Sequence, residues 1–305
     1  MSNTSTETLP GVSIIVPVCN AQTSIDKLLD SLLALDYPRE LVEVIVVDNN
    51  STDETKDIVK RFPVKLLQEN ATQSSYAARN KGIRNAKGAI LAFIDADCIA
   101  GEQWLREGVS ALQSKSADIA GGKVEFYYSE RKTAAELWDS IIFLQTESSI
   151  KNRSEAPTAN LFVKAPVFEG VGLFPSHVRS GGDAQWTYKA SKQGFSLVYA
   201  PKAVVKHPAR PLKELLKKKF RTGTGKPHQR LSKGHSLWHE VLFITYLTLF
   251  IGIPLAEVRK KVKETKIPEV RDKFLRILTV AYLCKISARL GAFIELVRIL
   301  LGRSR

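Results

Sequence analysis

Three short runs in the first hundred residues constrain this chain more than anything else in it. Val12–Pro17 (VSIIVP), Val42–Val47 (VEVIVV) and Ile90–Ile94 (ILAFI) are almost wholly apolar and rich in Val and Ile. A strand with one wet face alternates apolar and polar residues, so runs without alternation read as strands buried on both faces. Between them, Thr23–Leu35 sets Ile25, Leu28, Leu29, Leu32 and Leu33 at helical spacing. Asp57–Arg61 and Ser74–Ala86 also read as helices, and Val64–Leu67 as a short strand. Strands alternating with helices predict an α/β fold, a mostly parallel sheet covered by helices. Ligands of such sheets bind beyond the carboxyl ends of the strands. Pro17, Asp48 and Asp95 all fall at those ends.

The third run stops at Asp95-Ala-Asp97. On a straight strand, side chains at i and i+2 point the same way, and two carboxylates that close resist sharing a dry site. A divalent cation resolves the conflict, because hard oxygen ligands suit Mg²⁺ or Mn²⁺ and a phosphorylated substrate completes the shell. The same spacing is compatible with a solvated loop, so the surrounding residues have to decide.

Downstream, Glu102–Gln113 reads as a helix, Asp118–Phe126 as a strand, Thr133–Ser148 as one helix and Asn160–Val163 as a strand. Gly181-Gly182-Asp183 introduces a helix through Gln193, and Ser196–Tyr199 and Ala203–Lys206 read as two short strands ending at His207. From Leu237 the character changes. Val241–Ala256 is apolar but shorter than the ~20 residues a spanning helix needs, and Lys273–Leu301 is longer but interrupted by Arg276, Lys285, Arg289, Glu295 and Arg298. Both can lie in the membrane interface with their cations snorkelling to headgroups, or form an ordinary helical subdomain.

The formal charge is +14, and Lys and Arg crowd between Lys202 and Lys233. Without an RNA-binding signature, a zinc finger or a convincing helix-turn-helix, an anionic membrane surface is a better partner for that charge than nucleic acid. Three scattered cysteines, Cys19, Cys98 and Cys284, make neither a disulfide framework nor a zinc cluster, and they fit a reducing compartment. The polar N-terminus lacks the basic and apolar regions of a signal peptide.

VSIIVPVCNA, EVIVVDNNSTDET, AARNKGIRNAKGAILAFIDADC and GGDAQW, in that order, resemble the family 2 glycosyltransferases, which have the GT-A fold with its Rossmann-like sheet. The resemblance spans roughly Gly11 to Arg221. It implies an inverting, metal-dependent transfer of a sugar from a nucleotide-sugar donor, with a UDP-sugar favoured. Asp97 would ligate Mn²⁺ or Mg²⁺, with Asp95 at the ribose or the metal and His207 as a further metal ligand. Asp48 would meet the nucleotide base and Pro17 would shape the loop against it. Arg79 would bind the diphosphate, and Asp183 would be the catalytic base. Asp48 can instead form an Asx-turn, Arg79 can be a surface charge, His207 can be structural, and Asp183 can cap its helix. Two departures from the family pattern stand out: Cys19 replaces an aromatic residue that is often Tyr, and Gly182 replaces the more usual Glu.

The resemblance divides the chain into a polar tail over 1–10, a catalytic domain over 11–233 and a helical, apolar and basic region over 234–305. The nucleotide-sugar half of the catalytic domain would end near residue 100. Arg221–Gly225 (RTGTG) is expected to be a flexible segment over the diphosphate. A processive synthase is not expected, because the Gln-x-x-Arg-Trp motif is missing. The acceptor would be a lipid-linked or cell-envelope glycan, with the protein peripheral on the cytoplasmic face of the membrane. The alternative is a non-catalytic nucleotide-sugar-binding module that recruits a membrane complex, but a retained Asp183 speaks against it.

Overall fold

A computed structural model of the protein describes residues 9–178, 180–232, 236–249 and 252–302. The expected N-terminal tail lies outside these residues up to position 8, as does the expected boundary at 233.

Among the described residues the strands are β1 (Val12–Val18), β2 (Val42–Asp48), β3 (Lys65–Gln68), β4 (Ile90–Ile94), β5 (Ile99–Ala100), β6 (Ile119–Tyr127), β7 (Asn160–Lys164) and β8 (Leu197–Pro208). They form one sheet in the order β3-β2-β1-β4-β7-β6-β8-β5. The pairs β1–β2, β1–β4 and β2–β3 are parallel, as the apolar runs predict. The pairs β4–β7, β6–β7 and β5–β8 are antiparallel, so the sheet is mixed.

Every residue of β1 is buried. Ile14 and Val16 pack in one layer with Leu28, Leu32, Trp104 and Val109, while Ile15 faces the opposite layer with Tyr76, Phe93, Phe168 and Trp186. Burial on both faces is the reason the run does not alternate. Asn160 joins the antiparallel half. Its side chain accepts the Trp104 indole N–H at 2.8 Å and donates to the carbonyls of Lys123 and Ala203 at 2.8 and 2.9 Å.

Three sequence expectations change. Thr133–Ser148 is two helices, Ala134–Ile142 and Thr146–Arg153, broken where Leu144 takes a left-handed φ of 51°. The two short strands before His207 are one, β8. Residues 212–232 form one helix, so Arg221–Gly225 is helical and not a flexible segment.

The chain divides into two compact units. The first comprises the residues up to Glu125 with Leu144–His207, and the second comprises Phe126–Phe143 with the residues from Pro208 onward. The longer segment of the second unit opens at Pro208. Lys and Arg number 21 in the first unit and 24 in the second, and Asp and Glu number 21 and 10. The first unit is therefore neutral, and the second carries all of the +14.

Candidate active site

The candidate site lies in the first unit, at the carboxyl ends of the parallel strands. Val18 and Asp48, the last residues of β1 and β2, are register partners. Pro17 is tolerated in this central strand because the ladder to β4 ends at Ile15, two residues earlier. Asp48 is fully buried. Its Oδ2 accepts the Ser51 N–H, three residues on, at 3.3 Å, a local turn contact in place of an Asx-turn, but Oδ1 has no hydrogen-bond partner among the described residues. A buried carboxylate oxygen left open is costly, and the N–H of a nucleotide base would satisfy it. Asn49, which sequence reasoning did not single out, ties this loop down by donating to the carbonyls of Glu69 and Thr72 at 2.7 and 2.8 Å. Cys19 lies exposed, with Gln73 Nε2 at 3.5 Å from its sulfur.

Asp95 and Asp97 do not point the same way. They lie in a turn closed by Cys98 N–H on the Asp95 carbonyl at 3.0 Å, not on a straight strand, and the turn sends them to different partners. Asp95 Oδ1 meets the guanidinium of Arg79 at 2.5 Å. Arg79 is buried in the helix Ser75–Asn85, and its guanidinium lies 5.7 Å from the centroid of the Tyr76 ring. The arginine expected on the diphosphate is thus held by a carboxylate through Nη2, and its buried Nε has no hydrogen-bond partner among the described residues.

Asp97 faces His207 instead, with Nε2 3.5 Å from Oδ2. The feature that brings them together is β5, a strand of two residues that the sequence reading missed. Its pairs Ile99↔Lys206 and Ala100↔Val205 lay the residues before it against the end of β8. Ligand atoms of Asp97, Cys98 and His207 all lie within 4.8 Å of one another. Asp95 is not in this group. The group offers one carboxylate, one imidazole and one thiol. The carboxylate and imidazole, completed by diphosphate oxygens, suit Mn²⁺ better than Mg²⁺, which prefers an all-oxygen shell, while the thiol is the softest donor of the three. The donor set therefore fits a divalent cation. Cys98 is a buried thiol that the sequence reading did not place here.

Asp183 lies in the first turn of the helix Gly182–Lys192, whose N-cap is Gly181 at φ 79°. The carboxylate is half-buried and well oriented. Oδ1 accepts the Tyr76 hydroxyl at 3.1 Å and the Ala184 N–H at 3.0 Å, and Oδ2 accepts the Thr158 N–H at 3.1 Å and its hydroxyl at 3.4 Å. Tyr76 also accepts the Gly182 N–H at 2.9 Å. Burial first, and the charge of Asp183 second, push the Tyr76 phenol well above its usual range, so it stays a donor. The stacked and edge-on contacts among Phe93, Phe168, Phe174 and Trp186 hold this helix in place. Asn80, next to Arg79, exchanges two hydrogen bonds with the backbone of Phe174. Asp183, Tyr76, Arg79 and Asp95 thus form one connected path, and the Asp95–Cys98 turn continues it to Asp97 and His207.

Known proteins resemble this chain in sequence and in fold. Residues 13–166 match the family model described as glycosyl transferase family 2. Glycosyltransferase AglE of Haloferax volcanii is 42% identical over 299 residues, 96% of this chain and 98% of that protein. A dolichyl N-acetyl-alpha-D-glucosaminyl phosphate 3-beta-D-2,3-diacetamido-2,3-dideoxy-beta-D-glucuronosyltransferase of Methanococcus voltae is 26% identical, over 70% of this chain and 72% of its own. Among solved structures, a mannosyltransferase of Pyrobaculum calidifontis in complex with GDP-Man and Mn²⁺ superposes with a TM-score of 0.56 at 21% identity, covering 97% of this chain and 75% of that one.

Proposed function

The chain belongs to glycosyl transferase family 2, and from that premise we propose that it is an inverting, metal-dependent enzyme acting on a nucleotide sugar and a lipid-linked glycan acceptor. The observation that carries the mechanism is the path from Asp183 through Tyr76 and Arg79 to Asp95, with Asp97 and His207 beyond the turn. It supports a base and a diphosphate site built on one frame.

In this reading the acceptor hydroxyl oxygen attacks the anomeric carbon, and the bond from that carbon to the diphosphate oxygen breaks. The hydroxyl proton passes to Asp183, and the nucleoside diphosphate leaves with the bonding pair. Thr158 and Tyr76 fix the carboxylate so that it need not reorient as the proton arrives. Asp48 Oδ1 takes the base N–H, and Pro17 shapes the loop beneath it. Asp95, anchored by Arg79, is directed to the ribose. Asp97 and His207 would hold Mn²⁺, which when bound neutralises charge gathering on the leaving diphosphate.

The acceptor assignment rests on the relative whose name carries a dolichyl phosphate acceptor and on the cationic second unit. With it goes a peripheral position on the cytoplasmic membrane face. The test is a donor screen with UDP-, GDP- and dTDP-sugars, read as nucleoside diphosphate release, with and without Mn²⁺ and a membrane lipid extract. Release from one donor that requires both additions is expected. Release unaffected by Asp183→Asn overturns the base, and full turnover onto a soluble glycan alone overturns the lipid acceptor.

A further inference from the structure

The second unit contains a helix, Phe274–Leu300, that is long and apolar enough to cross a bilayer. Its packing argues against crossing. It lies against the helix Leu212–Ser232 so closely that a Cβ on Gly223 would overlap the Ala288 carbonyl, and one on Gly291 would overlap the Phe220 carbonyl. The partner helix bears Lys213, Lys217, Lys218, Lys219 and Arg221. A helix clasped to that many cations cannot enter the hydrocarbon without taking them along.

The outer faces look different. On the helix Leu237–Leu249, Ile244 packs with Ala292 and Leu296, while Trp238, Leu242 and Tyr246 are 75%, 72% and 59% exposed. On the long helix, Leu290, Ile294 and Val297 recur at helical spacing and are also exposed, as is Leu301 just past its end. Arg276 and Arg298 stand exposed near its two ends. A second copy of this chain would have to bring a unit of charge +14 against its equal. An anionic lipid surface attracts the same charge, and Trp and Tyr prefer the headgroup level.

We infer that these two outer faces dock the second unit in the plane of an anionic bilayer, with Trp238 and Tyr246 at the headgroups and neither helix spanning. This deepens the membrane reading proposed above and rests on it, but it does not depend on which acceptor is used. The full chain is floated with vesicles of phosphatidylcholine alone or with added phosphatidylglycerol, free of any glycan acceptor. Binding to the anionic vesicles is expected, weakened by salt, with release by alkaline carbonate. Trp238 should be quenched by brominated acyl chains, since Trp104, Trp138 and Trp186 are buried. The pairs Trp238→Gln with Leu242→Gln, and Leu290→Gln with Ile294→Gln, should each lower binding roughly tenfold with donor turnover kept as the sign of a folded protein. Flotation unchanged in both pairs overturns the inference, as does resistance to carbonate, which would mark a spanning helix. Failure to bind anionic vesicles, with the variants converting a dimer to a monomer, overturns it in favour of a second copy. If the vesicles bind as expected but a soluble acceptor is used, only the acceptor assignment fails.

Discussion

The ring of Tyr76 lies where a side chain on residue 182 would begin: a Cβ on Gly182 would stand 2.9 Å from Cε2 and 3.0 Å from Cζ. The same phenol donates to Asp183. The glycine that departs from the family pattern therefore leaves room for this tyrosine and for Val178, whose Cγ2 would also stand 2.9 Å from that Cβ. Gly182→Glu should push the ring off Asp183 and lower kcat. Adding Tyr76→Ser should restore part of the loss, because the two positions share one volume. Steady-state kinetics on the single and double variants decide this, and simple additivity would refute it.

Tyr76→Phe keeps the packing and removes only the hydroxyl. A hydrogen bond to a charged group is worth about 1.5–3 kcal/mol, so kcat should fall by about tenfold or more. Donor affinity, measured by calorimetry, should not change. Asp183→Asn should cost roughly 10²–10⁴ in kcat, the range of general base catalysis.

Asp48→Ala should weaken the binding of nucleoside diphosphate about tenfold, since one hydrogen bond to the base is lost. Sugar-1-phosphates without a base should bind the variant and the parent alike. Equal loss for both ligands would remove Asp48 from the base site.

Chelation by EDTA should abolish turnover, and added Mn²⁺ should restore it. His207→Ala should raise the Mn²⁺ concentration for half-maximal activity, and Asp97→Ala should remove the response altogether. The Mn²⁺ resonance signal, titrated with protein and nucleoside diphosphate, gives the same order without a turnover assay.

Lys218 is buried beside Asp139, 3.9 Å from its Oδ1, and burial first and Arg210 second lower its pKa to about 5, against the opposing pull of Asp139. Between about 5 and its ordinary value of 10.5 the unfolded chain holds a proton here that the folded chain does not. Stability at this site therefore rises with pH across that window and is lost as pH falls towards 5. Lys218→Met should raise the melting temperature at pH 7, and the gain should shrink as the pH approaches 10. Arg210, 3.2 Å from Asp139 Oδ2, is left by this substitution as the partner of that carboxylate.

The parallel half of the sheet was legible because burial on both faces writes itself as unbroken apolar runs. The antiparallel half was not, since β7 and β8 owe their direction to partners distant in the chain. Asp48 and Asp183 are legible through motifs: Asp48 accepts the Ser51 N–H and keeps one oxygen open, and Asp183 lies inside the first helical turn on Tyr76, too late to be the cap, which is Gly181. The pairing of Asp97 with His207 required β5, and two residues carry too little pattern to announce a strand. Asp95 and Asp97 parted company because a turn replaced the straight strand assumed for them. Tyr76 gave no signal beyond being aromatic near AARN, as its role depends on a glycine 106 positions away.

The clasp between Gly223 and Ala288, and between Gly291 and Phe220, has a practical consequence for making this protein. Deleting the last thirty or so residues as an unwanted hydrophobic anchor would be a natural first step towards a tractable sample. It would instead strip the glycine-lined side of the helix Leu212–Ser232 and uncover Leu215, which packs with Ile277 and Ala281. The trimmed chain should aggregate more than the full one, so mild detergent is a better route than truncation.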